Sequence, residues 1–419
     1  MLLYAAAIHL YRFMIWLASF WNSKADKMIK GRANIFQSLE SFRKKNKNQK
    51  LIWFHAASLG EFEQGRPMME AIKSKYPEFK IMLTFFSPSG YEIRKNYPGA
   101  DFVCYLPFDI EKNASNFIAA AKPDLTIFIK YEFWLNYLNI LHKKRIPTYL
   151  VAAIIHKEQP FFKWYGGVFR KTLHFYKNIF VQDTDSAKSL IELGVENVIT
   201  TGDTRFDRVI QIAEEPFHDE KLSTFCKGRK VIIAGSSYFE EENLLAGFIN
   251  ERKKSDKNVS LILAPHEINP ASMQRIEKIL KEHQISYCRY THDKISTSTV
   301  MILDTMGMLS SVYRFGKIAI VGGGFSNGIH SILEAAVYGM PVLFGPHHQK
   351  FKEANEMIEC GAAFTFENYN QLKSKLEQLL KDENYFSQVS LAARKYVVNH
   401  SGATDKTLAA IDFNESKRR

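Results

Sequence analysis

Three charged side chains stand just past apolar runs, where an α/β sheet presents its ligand-binding edge. Glu61 follows the small-residue turn Ser58-Leu59-Gly60, after the run Leu51–His55. Glu132 closes Lys130-Tyr131-Glu132, after Leu125–Ile129, and Arg205 closes Gly202-Asp203-Thr204-Arg205, after Val198–Thr201. Doubly wound sheets bind ligands beyond the carboxyl ends of their strands. A carboxylate there can accept a proton, and a guanidinium can balance phosphate charge. A single glutamate at a helix start can equally be a helix-favouring charge. Three groups at equivalent strand ends favour a shared site.

A fourth stretch, Lys317–Pro346, reads as strand, glycine-rich loop, helix and strand. Lys317–Val321 is the first strand, Gly322–Gly324 and Gly328 mark the loop, and Val342–Phe344 is the second strand. Such a loop lets backbone approach an anion, and the helix N-terminus beyond offers N–H groups. Glu334, early in that helix, is placed to accept hydrogen bonds from a ribose diol. A plain crossover whose glycines only make turns is the competing reading.

The elements that must carry these groups alternate. In the first half, strands at Leu51–His55, Lys80–Phe85, Phe102–Leu106, Leu125–Ile129, Thr148–Ala152, Ile179–Gln182 and Val198–Thr201 alternate with helical patterns. This predicts a doubly wound α/β domain over residues 36–213. Glu214–Gly228 is polar, contains Pro216 and reads as a linker. A second such domain is expected over 229–385, with strands at Val231–Ala234, Ser260–Ala264, Ser286–Tyr290, Val300–Leu303 and Ile318–Val321. Its strand-end loops are Gly235-Ser236-Ser237, Pro265-His266-Glu267 and Asp304-Thr305-Met306-Gly307. Residues 386–419 are expected as closing helices.

The 419-residue chain carries a net charge of +12, and residues 1–50 supply ten Lys/Arg against two acids. This basic excess points to an anionic surface, membrane or nucleic acid. Cys104, Cys226, Cys288 and Cys360 are far apart, which argues against a disulfide framework or a zinc site and suits a reducing compartment. Met1–Trp21 is apolar, with Lys24, Lys27, Lys30 and Arg32 directly after it. Residues 1–35 therefore read as a membrane-associated segment, spanning or lying in the interface, although Arg12 at mid-span is costly. A buried first helix is the alternative. The aromatic–basic stretch Phe161–Phe175 fits either a membrane interface or a core helix with a solvated face.

Two doubly wound Rossmann-like domains facing across a cleft, behind an N-terminal apolar helix, describe the GT-B glycosyltransferase architecture. The motifs HAASLGE (55–61), KYEFWLN (130–136), TGDTRFD (201–207), AGSSYFEEE (234–242), LAPHE (263–267), DTMGML (304–309) and NGIHSILEAA (327–336) resemble, in this order, those of 3-deoxy-D-manno-octulosonic acid (Kdo) transferases, glycosyltransferase family 30. The resemblance spans essentially the whole chain. It implies transfer of Kdo from CMP-Kdo to a lipid A precursor in lipopolysaccharide assembly, with inversion and without metal or other cofactor. The implied location is the cytoplasmic side of the bacterial inner membrane, with no nucleic-acid partner.

By position, the resemblance makes Glu61 the catalytic base, Glu132 a second acidic residue, and Arg205 the occupant of a usual Lys position. It assigns CMP binding to Ser236, Pro265, His266, Gly307, Met308, Leu309, Ser331, Ile332, Leu333 and Glu334. The chain departs from the family pattern at His266 (usually Arg), Ser331 (usually Asn), Met308 (commonly Glu) and the Ala153-Ile154 loop. Burial should raise the Glu61 pKa toward a base's working range. Domain closure is expected to exclude water, and Glu63, about 200° round the same helix, reads as a bystander. Two other readings remain: a GT-B enzyme using a UDP- or GDP-sugar, and a non-catalytic protein binding anionic lipid or nucleic acid.

Overall fold

The computed structural model describes residues 2–255, 258–292 and 298–413. Met1 of the apolar segment and residues 414–419 of the closing segment lie outside the described residues. The chain divides into two compact units, residues 1–208 with 401–419, and residues 209–400.

Unit 1 is built on a seven-stranded, all-parallel sheet: β1 (Lys50–Ala56), β2 (Phe79–Phe85), β3 (Phe102–Tyr105), β4 (Leu125–Ile129), β5 (Thr148–Ala153), β6 (Asn178–Val181) and β7 (Val198–Thr200). Their order is β3-β2-β1-β4-β5-β6-β7, so the winding reverses between β1 and β4. Alternate β1 residues feed opposite cores: Leu51 and Trp53 on one face, Ile52, Phe54 and Ala56 on the other. All five are fully buried, which is why apolar residues stand consecutively here rather than alternating with polar ones. Each such large side chain stabilises the fold by about 1.5–3 kcal/mol.

Unit 2 repeats the plan with β8 (Lys230–Ser237), β9 (Val259–Pro265), β10 (Tyr287–Arg289), β11 (Val300–Ile302), β12 (Ile318–Val321), β13 (Val342–Phe344) and β14 (Ala363–Thr365). The order β10-β11-β9-β8-β12-β13-β14 reverses between β8 and β12. The three-residue β14 is too short to show a sequence period. The expected linker over 214–228 holds a helix, Glu220–Cys226, whose Leu222 and Phe225 are buried. The closing segment divides: helix Glu383–Asn399 belongs to unit 2, and helix Ala403–Ala409 returns to unit 1. There the Asp207 carboxylate accepts from the Gly402 and Thr404 N–H groups.

The N-terminal apolar run is broken. Helix α1 (Leu2–Ala18) stops before Asn22, whose side chain accepts from the N–H groups of Lys24 and Ala25 and so caps α2 (Ser23–Lys30). The two helices meet at a 119° bend, and no single helix among the described residues is long and apolar enough to cross a membrane. One side of α1 is docked: Tyr4 donates to Asp109 at 2.6 Å, and its ring meets Phe169. The other side leaves Leu10, Phe13, Met14 and Trp16 exposed, as are Phe20 and Trp21 in the turn that follows, so the buried-helix reading does not hold. Arg32 ties the segment down, its guanidinium packed on Phe86, Tyr105 and Phe108 and donating to the Leu106 and Phe86 carbonyls. The 161–175 stretch splits, with Phe161 in the core and Trp164 92% exposed.

Candidate functional site

In unit 1 the groups gather where the sheet reverses. The helix Leu59–Lys75 follows β1 and crosses β4 closely. Gly65 permits this, since a Cβ there would lie 2.0 Å from Ile129 Cδ1. Glu61 occupies the first turn of that helix and accepts the Ser58 N–H at 2.9 Å. At the end of β4, Lys130 adopts φ +74°, a left-handed conformation that costs a non-glycine residue about 1–3 kcal/mol. That turn precedes Glu132, which is 3% exposed.

Glu132 meets His55, the penultimate residue of β1. Their Oε2 and Nε2 atoms are 2.9 Å apart. Trp134 Nε1 donates to the same carboxylate, and the Tyr176 hydroxyl donates to the Glu132 carbonyl. Burial first, then the Glu132 charge, raises the Glu61 carboxyl to about 7, against the opposing pull of His55 and the backbone N–H groups. Glu61 therefore sits at the point of changing charge near neutral pH, as a general base requires.

Arg205 lies in the first turn of helix Thr204–Glu214. Its Nε and Nη2 both reach Asp203 Oδ2 at 2.7 Å, so Asp203 holds the guanidinium in place. Tyr131 links these groups: burial and then the Glu61 charge raise its hydroxyl pKa, and Arg205 lowers it. Glu61 thus interacts with Glu132, and Tyr131 with both Glu61 and Arg205. Glu63 is not a bystander. Its carboxylate pairs with Arg94 at 2.7 Å and Arg208 at 3.6 Å, bracing helices to one another.

In unit 2 the reversal falls between β8 and β12. Ser236, at a bulge in β8, has φ +51°. Gly322 presses against it, since a Cβ there would lie 2.1 Å from the Ser236 carbonyl oxygen. The fully buried Glu241 accepts from the N–H groups of Gly323 and Tyr238. Gly322 N–H donates to Gly235 and Gly323 N–H to Glu241, so these two glycines serve close packing rather than offering donors to an anion. That differs from the sequence expectation, because the glycine run cannot reveal which N–H groups the fold has already used.

The ten donor-side candidates fall into groups. Pro265 pairs across the sheet with Ser237, and exposed His266 stacks on Tyr238 and His330, the imidazole centroids 4.4 Å apart. Gly307 (φ +85°) and Met308 lead into helix Leu309–Val312, where the Ser310 hydroxyl donates to Glu334. Ser331 is exposed, whereas Ile332 and Leu333 are each 1% exposed, their side chains in the core and only their backbone available. The helix carrying Glu334, Leu333–Ala336, is a single turn. The sequence reading did not single out His55, Trp134, Tyr238, Glu241 or His330, which the structure packs beside the candidates. All five lie within the motifs quoted above, so the signal was position rather than chemistry. Among the described residues no group of three or more His, Cys, Asp or Glu is arranged to hold a metal ion.

A family model described as 3-Deoxy-D-manno-octulosonic-acid transferase (kdotransferase) matches residues 33–208. The 3-deoxy-D-manno-octulosonic acid transferase of Aquifex aeolicus is 30% identical over 337 residues, 78% of this chain and 86% of that protein. A glycosyltransferase structure from Rickettsia africae matches with a TM-score of 0.58 at 14% identity, covering 89% of this chain and 100% of that one. The UDP-GlcNAc 2-epimerase from Neisseria meningitidis, bound to UDP-GlcNAc, matches with a TM-score of 0.61 at 16% identity, covering 86% and 99%. These structures show a GT-B-like fold, which a transferase and an epimerase share.

Proposed function

As a member of the 3-deoxy-D-manno-octulosonic acid (Kdo) transferase family, to which this chain belongs, the protein is a glycosyltransferase of lipopolysaccharide assembly, and we propose that it moves Kdo from CMP-Kdo to a lipid A precursor (lipid IVA), with inversion and without a metal ion. The observation that carries the chemistry is Glu61, a carboxyl raised to about 7 by burial and by Glu132.

In this reading the acceptor hydroxyl attacks the anomeric carbon of Kdo and gives its proton to Glu61. The new C–O bond forms as the bond from carbon to the CMP phosphate oxygen breaks, and CMP leaves with that electron pair. Glu132 stays in the buried pair with His55 and sets the basicity of Glu61 without touching the substrate. Arg205, held by Asp203, is assigned the leaving phosphate's negative charge, a role a guanidinium fills by bidentate hydrogen bonding. On unit 2, Glu334 is assigned the ribose diol, oriented by Ser310.

A lipid acceptor calls for access to a membrane surface. The exposed apolar side of α1, with Lys24, Lys27 and Lys30 beyond it, suits a helix lying in the interface, and the basic flank favours the cytoplasmic face. Mass spectrometry of products from CMP-Kdo and tetraacylated lipid A precursor tests the assignment. Addition of Kdo is expected. An unmodified acceptor in the presence of intact, folded enzyme would overturn it.

A further inference from the structure

The loops after β12 and β13 flank an open pocket of about 310 Å³, lined by Ser326, Asn327, His347, Gln349, Lys350 and Phe351. Two glycines lock the loops together: a Cβ on Gly324 would lie 2.4 Å from the Gly345 nitrogen. The His347 N–H donates to the Gly324 carbonyl at 2.8 Å. Phe351 closes one wall against Gly328, where a Cβ would lie 2.7 Å from its ring. The cavity opens at the carboxyl ends of two adjacent strands, beside the reversal at β8 and β12, where doubly wound sheets take their ligands.

Its chemistry is specific. His347 Nδ1 lies 2.9 Å from the Ser326 carbonyl oxygen, which can only accept, so Nδ1 carries the proton and Nε2 of the neutral ring is an acceptor. The Ser326 hydroxyl donates to the Gly323 carbonyl, leaving its own lone pairs to accept. Gln349 spends an amide N–H on the Pro346 carbonyl and keeps its oxygen. The wall therefore combines several acceptors for hydroxyl groups, one amide, an aromatic face and a single cation, Lys350. A neutral sugar has no use for that cation, whereas a sugar acid does. The volume is at the lower end for small-ligand clefts.

We propose that this cavity is the subsite for the sugar acid of the nucleotide donor, with Lys350 pairing with its carboxylate and His347 accepting from a hydroxyl. The proposal rests on the CMP-Kdo reading above and goes beyond it, because it separates recognition of the sugar from recognition of the nucleotide. The donor carries a phosphate and a carboxylate on one anomeric carbon. A dedicated cation for the second anion distinguishes it from nucleotide sugars that lack a carboxylate.

Steady-state kinetics with CMP-Kdo and calorimetry with CMP, on the full chain, test it. Lys350→Met should raise the KM for CMP-Kdo by about tenfold or more, the scale of a charge-assisted hydrogen bond. CMP affinity should stay unchanged, and Lys350→Arg should recover most of the loss. Lys350 is exposed, so these variants should fold. An unchanged KM in Lys350→Met overturns the subsite alone. A parallel loss of CMP affinity also overturns it, since Lys350 would then serve the phosphate. A wild-type chain that fails to turn over CMP-Kdo defeats both the subsite and the functional reading.

Discussion

Nε2 of His55 and Oε2 of Glu132 lie 2.9 Å apart in a pocket from which solvent is excluded. Trp53 Nε1 donates to the Thr84 hydroxyl at 2.8 Å, and Thr84 holds the far side of the imidazole, its hydroxyl 2.8 Å and its carbonyl oxygen 3.1 Å from His55 Nδ1. Trp134 supplies a second donor to the carboxylate. Glu132 is thereby kept as a fixed neighbour of Glu61, and the reactive group is the less buried of the two.

Glu61→Gln keeps the cap on Ser58 but cannot take a proton. Its kcat should fall by about 10²–10⁴-fold, the usual contribution of a general base, with CMP affinity unchanged by calorimetry. Because Glu63 braces Arg94 and Arg208, Glu63→Gln is a stability variant rather than a neutral control. Near-normal turnover in Glu61→Gln together with an inactive Glu132→Gln would transfer the role of base to Glu132.

The pH dependence follows from the sign of the shift. Glu61 is the base only when ionised, so kcat/KM should rise with pH through a midpoint near 7. The Glu132 charge contributes to that elevation, so in Glu132→Gln the midpoint should move to lower pH. A raised carboxyl pKa also means that the fold disfavours ionised Glu61. Its destabilising effect is absent below the unfolded value near 4.5 and grows as pH rises through about 7. Glu61→Gln should accordingly match or exceed the wild-type Tm at pH 8, and a clear fall in Tm would count against the assigned burial.

His55→Phe approximates the ring's volume and removes its N–H from Glu132. Loss of a donor to a buried carboxylate leaves that acceptor under-satisfied, so urea unfolding should show a loss of about 1–3 kcal/mol. A loss near zero would mean that Trp134 alone satisfies the carboxylate.

Membrane association is best tested on the exposed apolar side chains of α1 and the turn after it. Deleting the whole segment would also strip Tyr4 from Asp109 and expose a buried carboxylate. Phe13, Trp16 and Phe20 replaced together by Ser should abolish co-sedimentation with anionic vesicles while leaving CMP binding intact. Undiminished co-sedimentation would place the membrane contact elsewhere.

Glu334→Ala should weaken CMP binding by roughly 1.5–3 kcal/mol, the scale of a hydrogen bond to a charged group. Ser310→Ala, which removes the hydroxyl that orients Glu334, should weaken it less. Calorimetry showing no change in Glu334→Ala would remove that carboxylate from the nucleotide site.

The sequence by itself determined the repeated α/β plan. Strands buried on both faces are predominantly apolar, so β1, β4 and β12 stand out from their flanks within a residue or two. Glu61, Glu132 and Arg205 were legible as candidates for a related reason, because charged groups immediately after such runs lie at the sheet's ligand edge. What sequence could not supply is which groups converge. His55 lies inside an apolar strand and reads as core until β4, 70 residues later, pairs beside β1 and brings Glu132 to it. The glycine run at 322–324 looks like a ready anion cradle, yet two of its N–H groups are used, one by β8 and one by Glu241. The apolar run 1–21 has the length of a span, but Asn22 caps a second helix and turns the chain by 119°. In each case local composition states what a residue can do, and only long-range packing decides which partner it meets.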